Sequence, residues 1–179
     1  MMDGSKVIIT AGASGIGLET AKAFLNINAT VAICDIDQNA LKQVKEEYPN
    51  IHVEVCDVAN ANDTNTFIKV AAKKLGGVDT LVNNAGTGGP TKKIEAITTE
   101  EWSRCLDVCL SAQFNCIKAS VPFLKDSNNP SIINLSSAAG RMGFALRTPY
   151  AAAKWGVIGL TKSLAIELGE HNIRVNAIL

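Results

Sequence analysis

Apolar residues recur along this chain in two alternating rhythms. Short β-branched runs read as strands at Lys6–Thr10, Thr30–Asp35, Ile51–Cys56, Val78–Val82, Ser131–Leu135 and Ile173–Ile178. Between them, longer stretches with helical spacing fall at Ile16–Leu25, Gln38–Tyr48, Asp63–Leu75, Thr99–Lys125 and Pro149–Leu168. Strands that stay apolar on successive positions are buried on both faces, and strict alternation with helices covers those faces. The expected fold class is therefore α/β: a doubly wound parallel sheet, Rossmann-like, in three αβα layers. No linker-like composition shift divides the 179 residues, so one domain is expected.

Composition narrows the function classes. Of the residues, 47% are hydrophobic and 19% charged, enough to build a core and against disorder. Seventeen basic and seventeen acidic side chains cancel, with no basic cluster to attract nucleic acid or an anionic membrane. The amino terminus is too short in apolar residues for a secretory or membrane segment, so a cytoplasmic address is expected. The five cysteines, at 34, 56, 105, 109 and 116, form no CxxC pair and have no interleaved histidine, so neither disulfides nor a metal site is expected. His52 and His171 read as surface or half-buried histidines.

Chemistry enters first at Thr10-Ala11-Gly12-Ala13-Ser14-Gly15-Ile16-Gly17, between the first strand and the first helix. Gly12, Gly15 and Gly17 allow a tight turn, and with Ser14 and Ile16 they bring backbone N–H groups toward a pyrophosphate at the positive end of the helix. Asp35 ends the second strand, 18 residues after Gly17, where a carboxylate accepts both adenosine ribose hydroxyls and repels a 2′-phosphate. With Ile36 following and Asp37 adding negative charge, NAD is favoured over NADP. Asp57-Val58 suit an adenine clamp, and Asn84-Ala85-Gly86, with Asn83 before them, suit close approach to the ribose. Each of these short runs also suits ordinary turn chemistry, in which Asp, Asn and Gly dominate.

Ser137, Tyr150 and Lys154 are the second constellation. Tyr150 and Lys154 are four residues apart on a helix start and share one face; Ser137 lies at the end of the fifth strand, just past Leu135 and 13 residues before Tyr150. A neighbouring ammonium favours the phenolate, which lets a phenol exchange a proton with an alcohol or carbonyl oxygen while hydride moves at a nicotinamide. Ser137 would hydrogen-bond the same oxygen.

These runs, with Ser136-Ser137-Ala138-Ala139-Gly140, Tyr150-Ala151-Ala152-Ala153-Lys154 and Ile173-Arg174-Val175-Asn176, resemble the short-chain dehydrogenases/reductases over essentially the whole chain. The resemblance implies Tyr150 as acid/base, Lys154 as its modifier and a ligand of the nicotinamide ribose, and Ser137 as the stabiliser of the substrate oxygen. Three departures stand out. Ala11 occupies the place of the first glycine, a change without steric cost if its φ is negative. Cys109, in Val108-Cys109-Leu110, replaces an asparagine that helps hold a water linking the lysine to solvent, and a thiol is weaker in both hydrogen-bonding roles. Family members also continue past the sixth strand with a substrate loop, a helix and a last strand, so a 179-residue product would bind the adenosine half yet turn over poorly.

The expected function is an NAD(H)-dependent oxidoreductase interconverting a secondary alcohol and a ketone. The alternative is a nucleotide-binding or scaffolding protein with little or no catalysis. The 150–169 segment lacks a wide polar face, so burial on two sides, against the sheet and against another subunit of a homodimer or homotetramer, is expected.

Overall fold

The computed structural model describes residues 4–179. Six strands, β1 (Lys6–Thr10), β2 (Thr30–Asp35), β3 (His52–Val55), β4 (Thr80–Asn83), β5 (Ser131–Leu135) and β6 (Arg174–Ile178), form one sheet in the order β3-β2-β1-β4-β5-β6. Every pairing is parallel, with Val7 opposite Val31 and Thr80, and Ile132 opposite Leu81 and Val175. The order runs outward from β1 in both directions, so the crevice between β1 and β4 is the switch point at which such sheets bind ligands.

Helices α1 (Gly15–Leu25) and α2 (Gln38–Glu47) cover one face, where Val7, Ile9, Val31 and Ile33 meet Ala21, Leu41 and Val44. On the other face Ile8, Ala32, Leu81 and Ile132 meet Phe67 and Ile68 of α3 (Ala61–Leu75) and Ile117 and Leu124 further along the chain. Burial of successive strand residues on opposite faces is why the strands read as unbroken apolar runs.

Element ends moved where polar chemistry took over from period. Helix α3 starts at Ala61 rather than Asp63 because the Asn60 side chain accepts from Asn62 N and Asp63 N. Asp37 likewise caps α2 through Asn39 N and Ala40 N at 2.9 and 3.0 Å, so this carboxylate serves a helix terminus. Strands β3, β4 and β6 begin one or two residues later than expected.

The expected helix over 99–125 is three pieces: α4 (Thr99–Leu106), a wide π turn (Asp107–Ser111) and α5 (Ala112–Lys125). A π turn inserts residues without ending the helix, so the apolar stripe on each side still reads as helical. Helix α6 (Thr148–Glu167) buries Pro149, Ala153, Lys154, Val157 and Thr161 on one face, while Trp155 and Ile166 are exposed. Within the described chain it is therefore covered on one side only.

Candidate active site

The turn after β1 is braced from the loop after β4. Thr10 Oγ1 accepts from Asn84 N and Ala85 N at 3.1 and 3.0 Å, and Asn84 Nδ2 donates to the carbonyls of Thr10 and Ala11 at 3.1 and 2.9 Å. Gly12 N donates to Cys34 O at 3.0 Å. Meeting these partners turns Ala11 into the left-handed region, φ 50°, which corrects the expectation of a negative φ. An L residue there costs roughly 1–2 kcal/mol.

The glycines are fixed by close approach. A Cβ at Gly12 would lie 2.6 Å from Ile33 Cβ, and one at Gly17 would lie 2.2 Å from Ala11 O and 2.6 Å from Asn84 Nδ2. Ser14, Gly15 and Ile16 are exposed at the start of α1, and the Ser14 side chain makes no capping bond there. The first N–H groups of α1 have no side-chain acceptor from that position, the chemistry that suits a phosphate.

From this turn a cavity of about 200 Å³ opens across the strand ends, lined by Ser14, Asp35, Ile36, Val58 and Gly86 among others. The Asp35 carboxylate accepts from Ala13 N at 3.2 Å and Asp37 N at 3.1 Å, which fixes it at the rim. Asp57 accepts from Ala59 N at 3.0 Å with one oxygen and from Arg104 Nη1 at 3.2 Å with the other. Asn84 serves the two turn carbonyls with its side chain, while Ala85 and Gly86 line the cavity. Cys56 is in the cavity wall, and the neighbouring Cys34 thiol lowers its pKa by hydrogen bonding.

At the β5 end, Ser137 precedes a short 3₁₀ turn (Ala138–Gly140) and its Oγ accepts from Ala139 N at 3.2 Å. Ser136 Oγ donates to the Lys154 carbonyl at 2.9 Å, tying α6 to the strand end. Tyr150 is half-buried in the first turn of α6, and Lys154, 4% exposed, is one turn further on. The Lys154 ammonium donates to Leu135 O at 2.7 Å and is 5.6 Å from the Tyr150 ring centroid. Burial pulls Lys154 below the ordinary lysine range, opposed by the adjacent Cys109 and Cys105. A Cβ at Gly86 would be 3.7 Å from Lys154 Nζ, so the cavity wall and the ammonium adjoin.

Cys109, buried in the π turn, binds Thr87 through its backbone: Sγ accepts from Thr87 N at 3.3 Å and donates to Thr87 O at 3.2 Å. Cys105 is one turn before it, its thiol pushed up to about 11 chiefly by burial. No group of three His, Cys, Asp or Glu that could hold a metal occurs among the described residues.

The structure thus brings Ser14, Asp35, Ile36, Asp57, Val58, Ala85 and Gly86 around one crevice, with Gly12, Gly17 and Asn84 in the turn that shapes it. Gly15 and Ile16 are exposed at the start of α1, outside the lining, Lys154 adjoins Gly86, and Tyr150 is one turn before Lys154. The Arg147 guanidinium is 5.0 Å from the Tyr150 ring centroid. Sequence reasoning missed Arg104, which reaches Asp57. It also missed the Leu135 carbonyl, since a backbone acceptor has no signature in residue types.

Residues 5–179 match the short chain dehydrogenase family, and the chain belongs to it. It is 33% identical to L-fucose dehydrogenase of Bos taurus across 98% of this chain and 64% of that protein. It is 34% identical to 2-dehydro-3-deoxy-L-rhamnonate dehydrogenase (NAD(+)) of a Sphingomonas species, covering 98% and 70%. The crystal structure of levodione reductase superposes with a TM-score of 0.92 at 28% identity, covering 98% of this chain and 70% of that one. The chain therefore spans less than two thirds of the bovine relative's length.

Proposed function

We propose that this chain is an NAD(H)-dependent oxidoreductase that interconverts a secondary alcohol and a ketone, with residues 1–179 as a single dinucleotide-binding domain. The observation that carries the reading is the buried Lys154 ammonium 5.6 Å from the Tyr150 ring, adjoining the glycine-walled crevice. The uncapped first turn of α1 and the open space at Gly15, where an added Cβ would meet nothing within 4 Å, fit a dinucleotide's pyrophosphate. Asp35, held by two N–H groups at the rim, fits the ribose hydroxyls and disfavours a 2′-phosphate. The NAD(+) in the name of the Sphingomonas relative supports the same choice.

In this reading the nicotinamide, when bound, supplies or accepts the hydride. Tyr150 Oη gives a proton to the ketone oxygen or takes one from the alcohol. Lys154 favours the phenolate electrostatically and binds the nicotinamide ribose, while Ser137 Oγ hydrogen-bonds the substrate oxygen and orients it. The exposed Trp155 and Ile166 on α6 suit a homodimer or homotetramer, which sedimentation tests directly. No described helix is long and apolar enough to cross a membrane, and a cytoplasmic address belongs to the same proposal.

NADH fluorescence titration combined with a screen of secondary alcohols and ketones tests the assignment. Turnover that Tyr150→Phe abolishes, with NADH binding retained, is the expected result. Unchanged turnover in that variant overturns it. The second reading, a nucleotide-binding protein with little catalysis, is favoured by Cys109, whose thiol is engaged by Thr87; NADH binding without turnover would support it.

A further inference from the structure

Gln113 lies at the start of α5, just after the π turn, and is 2% exposed. Its Nε2 donates to Leu135 O at 3.2 Å, the same carbonyl that accepts the Lys154 ammonium at 2.7 Å. Two donors from different helices thus converge on one backbone oxygen at the end of β5. The Gln113 Oε1 is buried and has no hydrogen-bond partner. Exchanging the amide's oxygen and nitrogen would set two acceptors against each other, so the Leu135 carbonyl dictates which way the amide points. Burying an amide acceptor without a partner is unfavourable, and an apolar side chain of similar size would avoid that penalty.

We infer that Gln113 is a positioning residue for Lys154. Its N–H group fixes the Leu135 carbonyl as the acceptor on which the ammonium rests, and this preorganised acceptor favours the charged amine against the desolvation opposing it. The ionisable groups facing Lys154 are Cys105 on α4, Cys109 in the π turn, and Tyr150 with the neighbouring Arg147 at the start of α6. The end of β5 (133–140) and the loop after β4 (83–87) have no ionisable side chain. Gln113 is therefore the neutral polar group from α5 that meets the lysine's own acceptor.

This assignment rests on the proposed role of Lys154, but its test does not need turnover. In unliganded protein made with [ε-13C]lysine, the Lys154 resonance is identified by its loss in Lys154→Met and followed through a pH titration. Gln113→Leu should lower the Lys154 midpoint by about half a pH unit or more, and Gln113→Glu should raise it by at least as much. A packing role alone leaves the midpoint in place, and coincident titrations in folded wild type and variants overturn the proposal. In wild-type protein the Gln113 side-chain amide signals should shift with the Lys154 midpoint. Signals that stay fixed overturn the proposal even where no variant folds. If turnover is found, Gln113→Leu should lower kcat about tenfold and leave the NADH KM within about twofold. Absence of turnover in the wild type would end the oxidoreductase reading, while the titration still decides the place of Gln113.

Discussion

Asn84 donates a side-chain hydrogen bond to the carbonyl of Ala11 at 2.9 Å, and Ala11 is held at φ 50°. The loop after β4 thus sets the sign of a backbone angle seventy-three residues earlier. The turn that faces the crevice is a shared construction of two strand ends. Relief of the left-handed alanine predicts that Ala11→Gly raises stability by about 0.5–1 kcal/mol, the strain released minus the added freedom of the unfolded chain. Asn84→Ala should do the opposite, by about 2 kcal/mol, because two carbonyls lose their donor. Urea denaturation of both variants checks the pair.

The Asp57–Arg104 contact predicts a separation of binding from stability. Both side chains are substantially exposed, so Arg104→Ala should change the unfolding free energy by less than about 0.5 kcal/mol. Arg104 nonetheless lines the cavity and holds one Asp57 oxygen, so NADH affinity should fall about fivefold in the same variant. An affinity equal to wild type would remove Arg104 from the cofactor's surroundings.

Asp35 offers a test of nucleotide choice. Asp35→Asn keeps a carbonyl acceptor and removes the charge, so the proposed preference for NADH over NADPH should shrink by about tenfold or more. Parallel titrations with the two nucleotides measure the ratio. An unaltered ratio would place discrimination elsewhere on the rim.

Stability should also depend on His52. Burial holds this imidazole below the ordinary histidine range, with the Glu54 carboxylate 3.1 Å away opposing the effect. The unfolded chain then takes up the proton at higher pH than the folded protein does. Stability is therefore expected to decline as pH falls through about 6.5 toward the folded value, and His52→Gln should flatten that slope. Denaturation midpoints at several pH values between about 5 and 7.5 report it.

The layered fold was legible because both sheet faces are covered, which writes itself into runs such as Val7-Ile8-Ile9 and Val31-Ala32-Ile33. Asp35, Tyr150 and Lys154 were legible as chemistry because a carboxylate, a phenol and an amine stand at strand ends and on a helix start. What stayed hidden depends on relations between distant backbone groups. Ala11 looks harmless until Asn84 claims its carbonyl, and the π turn around Cys109 leaves helical spacing intact on each side. Gln113 reads as one more polar residue in an amphipathic stretch, since its partner Leu135 O belongs to a residue that reads as apolar. Arg104 reads as part of a solvated helix face, and only the fold brings it to Asp57.

All five cysteines are buried and unpaired by disulfides. They make the molecule a gauge of its own opening. An alkylating reagent reaches a thiol only when the surrounding region loosens, so labelling rates resolved site by site would map local opening from within. Cys56, in the crevice wall, would register protection as a nucleotide enters, whereas Cys116, on the buried face of α5, would register only the loss of the central layer.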